Sequence, residues 1–124
     1  MRKADLEDEV FRIDFEPPSL LIKKNLGDWK EIARSPAFIS LVYPSAFREI
    51  VTRIRHIEKY HETDVEEDWR SRWLRYATLL PNVPEPSADD DSDRIDDWIE
   101  NAVQAFCRHH RMIERFSASW NKED

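Results

Sequence analysis

From Asp93 to Asn121 the residues Ile95, Trp98, Ile99, Ala102, Val103, Phe106, His110, Ile113 and Phe116 recur at three- and four-residue intervals, the spacing of one helical face. A face that broad must be covered, so the pattern predicts a helix over 93–117 inside a packed helical domain. A second stripe begins at Ser45. Phe47, Ile50, Val51, Ile54, Ile57 and His61 share one side, while Arg48, Thr52, Arg55 and Lys59 lie along another, which predicts an amphipathic helix over 45–62. Thr63 with Glu66 and Asp64 with Glu67 form two overlapping capping boxes. They predict a fresh helix over 64–80 that turns Val65, Trp69, Trp73, Tyr76, Ala77 and Leu80 inward. The connection between these two helices is short, so they are expected to be antiparallel neighbours.

The amino end has a different period. Phe11, Ile13 and Phe15 alternate with Arg12 and Asp14, as in a half-buried strand, and Pro17-Pro18 must stop it. Leu20, Leu21 and Ile22 suggest a second short strand. Two such strands make a marginal hairpin alone, so residues 1–24 read as an extended or β-like segment that lies on the helices, pairs with a second copy of the chain or forms plain extended arms, the first being favoured. Asn25 is a candidate cap for a short helix with Trp29 and Ile32, and Ser35-Pro36 supplies a cap and first-turn proline for Phe38, Ile39, Leu41 and Val42. This region reads as a shorter helical stretch over 26–43. Pro44 either opens the next helix or kinks a continuous one. Residues 81–92, with Pro81, Pro84, Pro86 and the run Asp89, Asp90 and Asp91, carry no periodic apolar residue and read as an acidic, proline-rich internal loop. Its carboxylates favour the positive end of the helix that follows. The expectation is a mainly α, small helical bundle, 1–124 forming a single domain.

Composition narrows the chemistry. One glycine and seven prolines in 124 residues argue against a turn-rich sheet fold, and Gly27 alone cannot build a phosphate loop, a dinucleotide fingerprint or a nucleophile elbow. Cys107, the single cysteine, cannot form an internal disulfide and reads as a small buried hydrophobe. No apolar run approaches the length of a membrane span and no signal-like segment opens the chain, so a cytoplasmic location and no membrane partner are expected. Asp89, Asp91 and Asp93 alternate like calcium ligands, but the glycine and terminal glutamate of an EF-hand loop are missing. Ser117 and Ser119 near His109 and His110 lack an oxyanion hole.

Glu58 and His61 have the Glu-x-x-His spacing of helix-bundle di-iron sites, and His110 with Glu114 is the pair that would have to converge on them. No second Glu-x-x-His exists, so no metal and no cofactor are expected, with a helical-bundle metalloenzyme as the rival reading. The charge pattern favours binding. The chain carries −7 overall, yet Arg108, Arg111 and Arg115 give the last helix a cationic side. With Trp120 and Phe11 as aromatic anchors, these arginines suggest a noncatalytic protein-protein interaction module, an adaptor or regulator in a bacterial-type cytoplasmic complex. The partner would be an unidentified protein or a second copy of the chain. Nucleic-acid binding through the same three arginines is the further alternative, disfavoured by the net negative charge.

Overall fold

The structure is a computed structural model that describes residues 2–9, 11–15, 18–23 and 29–121. The cap expected at Asn25 and the strand stop at Pro17 lie outside the described residues. The protein is mainly helical, with a small sheet near its amino end. In order come β1 (Arg2–Ala4), β2 (Phe11–Asp14), β3 (Ser19–Lys23), α1 (Trp29–Arg34), α2 (Pro36–Thr52), a π-helical turn (Arg53–Ile57), α3 (Trp69–Leu79), α4 (Ser92–His109) and α5 (Met112–Asn121). The chain falls into two compact units, Met1–Ala46 with Met112–Asp124, and Phe47–Arg111.

In the first unit the strands lie in the order β1-β3-β2. β2 runs antiparallel to β3 with Ile13 opposite Leu20, and its alternation buries Ile13 while Arg12 and Asp14 face out. Ile22 is fully buried and clusters with Phe38 and Val42 of α2, with Phe11, Leu20, Ile32, Ala33 and Tyr43 packed around them. Burial of each large side chain stabilises by roughly 1.5–3 kcal/mol, which is why the strands lie on helices and do not extend as arms. β1 is parallel to β3 and was not readable from Arg2-Lys3-Ala4, which has no apolar alternation. It is tethered by the turn after it, where Leu6 is buried, Glu7 takes a positive φ of 55° and the Glu7 carbonyl accepts from Lys23 Nζ.

Ser35 both closes α1 and opens α2. Its N–H donates to the Ile32 carbonyl at 3.1 Å, and its Oγ accepts from the Phe38 N–H at 3.2 Å, with Pro36 as the first helical residue. Pro44 lies inside α2, so one helix covers what the sequence left as two possibilities. The missing proline N–H costs the Ser40 carbonyl its usual partner, but the helix continues to Thr52.

In the second unit, Phe47, Ile50, Val51 and Ile54 are buried as their stripe requires, but the helix expected to reach residue 62 stops earlier. The wider i→i+5 turn at Arg53–Ile57, in which the Glu58 N–H donates to the Arg53 carbonyl at 2.9 Å, rotates the face. Arg55 therefore points in, at 2% exposure, and Ile57 points out, at 64%. Arg55 Nη2 donates to Asp90 Oδ2 at 2.8 Å and Nη1 to the Tyr60 carbonyl at 3.3 Å, with its guanidinium 5.4 Å from the Trp98 ring centre. Burial lowers the Arg55 pKa from its ordinary value, and the Asp90 carboxylate opposes that shift.

The two capping boxes do not open α3. Its cap is Asp68, whose side chain accepts from the Arg70 N–H at 2.9 Å. Residues 58–68 instead gather on the fully buried Ser71, which pairs with Tyr60 Oη at 2.8 Å, donates to the Glu62 carbonyl at 2.8 Å and accepts from the Val65 N–H. Satisfying that buried hydroxyl holds Thr63–Glu67 out of helical form. α4 opens at Ser92 with Asp91 accepting from the Arg94 N–H, and buries Ile95, Trp98, Ile99, Ala102, Val103, Ala105 and Phe106. Phe106 stacks on Phe47 with ring centres 4.6 Å apart, and Trp73 and Tyr76 of α3 pack around Phe47. The loop before α4 is tied down. Trp98 Nε1 donates to the Pro84 carbonyl at 2.8 Å, Asn101 Nδ2 to the Asn82 carbonyl at 3.2 Å, and Val83 and Pro86 are buried.

The single helix expected over 93–117 is interrupted. α4 ends at His109, Arg111 adopts a positive φ of 55°, and α5 begins at Met112. The His110 N–H reaches the Phe106 carbonyl, and the Arg111 N–H reaches the Arg108 carbonyl, a tightened last turn of the kind that closes helices.

Candidate functional site

The Glu58/His61 pair is not on one helix. Glu58 follows the π turn, Lys59 takes a positive φ of 54°, and the Glu58 carboxylate meets Arg70 Nη1 at 3.4 Å and Arg53 Nε at 3.6 Å. His110 Nε2 pairs with Tyr76 Oη at 2.7 Å, and the imidazole lies on the Phe106 ring with centres 4.6 Å apart. Burial raises the Tyr76 pKa. Glu114 is exposed on the first turn of α5. Among the described residues no group of three or more His, Cys, Asp or Glu side chains is placed to hold a metal ion. In the acidic loop, Asp90 is taken by Arg55 and Asp91 by the cap of α4. Cys107 is half-buried. Burial pushes its thiol up, with Arg48 opposing and Glu100 adding, so the sulfur is held as a thiol.

The arginines do not share a single helical face. Arg108 is on α4, Arg111 in the break and Arg115 on α5, and all three are exposed. Phe11 is half-buried against the Ile22, Phe38 and Val42 cluster, so its ring serves the packing of its own unit and is not an exposed anchor. Trp120 lies on α5, its side chain outside the described residues.

What sequence reasoning missed is the character of α5. Read as the continuation of α4, Ile113 and Phe116 belong to the buried stripe. Among the described side chains after the break only Met112 is buried, and every one from Ile113 to Ala118 is exposed, Ile113 at 80% and Phe116 at 38%. The two are three residues apart, one turn of helix, and so lie side by side. A helix of 10 residues is marginal in water without a packed face, its usual source of stability. No glycine or proline marks the break; the tandem His109-His110 and the left-handed Arg111 give no sequence signal of it.

Among the described residues Leu41, Ile57, Val65 and Leu79 are also exposed. Each stands without an apolar neighbour one helical turn away that is itself exposed, so none of them forms a stripe. No helix among the described residues is long and apolar enough to cross a membrane. Comparison with family models, with curated proteins and with solved structures found no match.

Proposed function

We propose that the protein is a noncatalytic interaction module, an adaptor or regulator in a cytoplasmic complex of bacterial type, that offers α5 to an apolar groove on another protein. The exposed Ile113 and Phe116 on successive turns of α5 carry the reading. Trp120 stands seven residues after Ile113, completing the i, i+3, i+7 positions by which an amphipathic helix enters a groove. Ordering of a short helix and burial of its aromatic residues then occur together on binding.

Charge selects the partner's rim. Arg111 and Arg115 flank Ile113 in sequence, with Arg108 a little before, while the chain as a whole is at −7. A groove with acidic edges is attracted to this stretch, whereas a nucleic acid meets the repulsion of the remaining surface. The pairing of Glu58 with Arg70 and of His110 with Tyr76 supports the noncatalytic reading.

The test is capture of the partner from the source cell with the intact chain and with three variants. Ile113→Asp with Phe116→Asp should abolish the complex, Leu79→Asp should leave it intact, and the triple replacement of Arg108, Arg111 and Arg115 by Glu should weaken it and flatten its salt dependence. A complex that survives the α5 double variant overturns the proposal.

A further inference from the structure

The break between α4 and α5 interrupts a pattern that the sequence carries straight through it. Ile95 and Ile113, Trp98 and Phe116, and Ala102 and Trp120 are each eighteen residues apart, which is five whole turns of an α-helix. In an unbroken helix the members of each pair stand at the same angle, and Ile95, Trp98 and Ala102 belong to the buried face of α4. His109, His110, Arg111 and Met112 include no glycine or proline, so their chemistry is compatible with helical angles. The turn is made by Arg111 at a φ of 55°, a conformation that is costly for a residue with a Cβ.

We propose that the α4–α5 junction is a two-state hinge, in which Arg111 passes between this left-handed conformation and the right-handed one, and that the second state is a single helix from Ser92 to Asn121. The exchange is local. The His110 N–H keeps the Phe106 carbonyl, while the Arg111 N–H leaves the Arg108 carbonyl, now at 3.2 Å, for the Cys107 carbonyl four residues back. The Met112 N–H takes the Arg108 carbonyl in its place.

Two effects set the balance. Straightening releases the left-handed strain at Arg111 and joins two hydrogen-bond ladders into one. Against it stands Met112, which is only 5% exposed and would leave the place in which it is buried. In a single helix Met112 lies about 100° from Ile113, off the line of the α4 face. Burial of Met112 therefore favours the broken state, and relief at Arg111 keeps the straight one within reach. The second state presents Ile113, Phe116 and Trp120 as a continuation of the α4 face, so the exchange changes which surface the chain offers.

The experiment measures spin–spin distances in the full chain carrying nitroxides at Asp97→Cys and Ser117→Cys in a Cys107→Ala background, with circular dichroism to confirm that each variant is folded. The two labels are twenty residues apart, so a single helix separates them by about 30 Å along its axis, and the broken form gives a shorter distance. The chain with its native Arg111 should show a major short component and a minor one near this length. Met112→Ala should raise the share of the long component. Arg111→Gly favours the left-handed turn and Arg111→Ala the helix, so the ratio of the two components should differ by about tenfold between them. The distances are read without a partner, which keeps the result separate from the α5 binding reading. A distribution with no long component in any of these folded chains, or one that is the same for Arg111→Gly and Arg111→Ala, would overturn the proposal.

Discussion

α4 and α5 are built from similar material and stand in opposite conditions. α4 buries its apolar face from Ile95 to Phe106, where the Phe106 ring stacks on Phe47 and meets Tyr76 edge-on. α5 follows two residues later with Ile113 exposed at 80% and Phe116 at 38%. The same three-and-four spacing therefore makes a core in one helix and leaves apolar side chains exposed in the other. What separates them is whether the chain supplies the covering surface itself, and hydrophobic period alone carries no information about that.

The contrast breaks most visibly at the aromatic stack. Phe106→Ala removes a buried ring against Phe47 and should cost about 3–5 kcal/mol, read as a fall in the urea midpoint. Next comes the foundation of α4. Asp90→Ala strands the buried Arg55 cation and should cost about 3 kcal/mol, and combining it with Arg55→Met should recover most of that loss in a double-mutant cycle. If the double variant is as unstable as the single, the pair is not what holds this loop.

Smaller still is the cap of α3. The hydrogen bond from Arg70 holds the Asp68 pKa below its ordinary value of 3.8. Asp68→Ala should cost about 1 kcal/mol at neutral pH. Because the folded-state value is the lower one, this stabilisation is present above 3.8 and is lost as pH falls through the folded value. The difference between variant and original should therefore vanish in acid; a penalty that persists there would mean that packing, not the carboxylate, is at work. Last is Ile113→Ala. At a side chain 80% exposed it should move stability by no more than about 0.5 kcal/mol while weakening the proposed partner binding, the reverse of Phe106→Ala.

The helical character, the strand character of Phe11–Asp14 and of Leu20, Leu21 and Ile22, the Ser35-Pro36 cap and the buried stripe of α4 were legible because each follows from local period or capping chemistry, whereas the pairing of the strands was not. The departures come from long-range partners. Arg55 is inward only because Asp90, thirty-five residues away, meets it, and the π turn that brings it there exposes Ile57. Thr63–Glu67 is not helical because its backbone is drawn to Ser71. β1 exists because β3 offers an edge to it. At the candidate site the anchor residues Ile113 and Phe116 were visible as apolar, but their assignment to the core followed from treating 93–117 as unbroken. The arginines were named by charge, which does not reveal that they are spread over two helices and a turn.

The left-handed residue between those helices has a consequence for how the protein can change. A continuous helix locks every later side chain into the phase of the earlier ones, so a substitution or a one-residue insertion beyond Phe106 would alter which residues face the core. Arg111 resets that phase. The sequence after it can be rewritten, lengthened or rotated in register while the facing of Ile95 to Phe106 stays as it is. Glycine at position 111 should be accepted, since it reaches the same backbone angles without a Cβ clash. Under the proposed function, substitutions after Arg111 can change what α5 binds without rebuilding the buried face of α4.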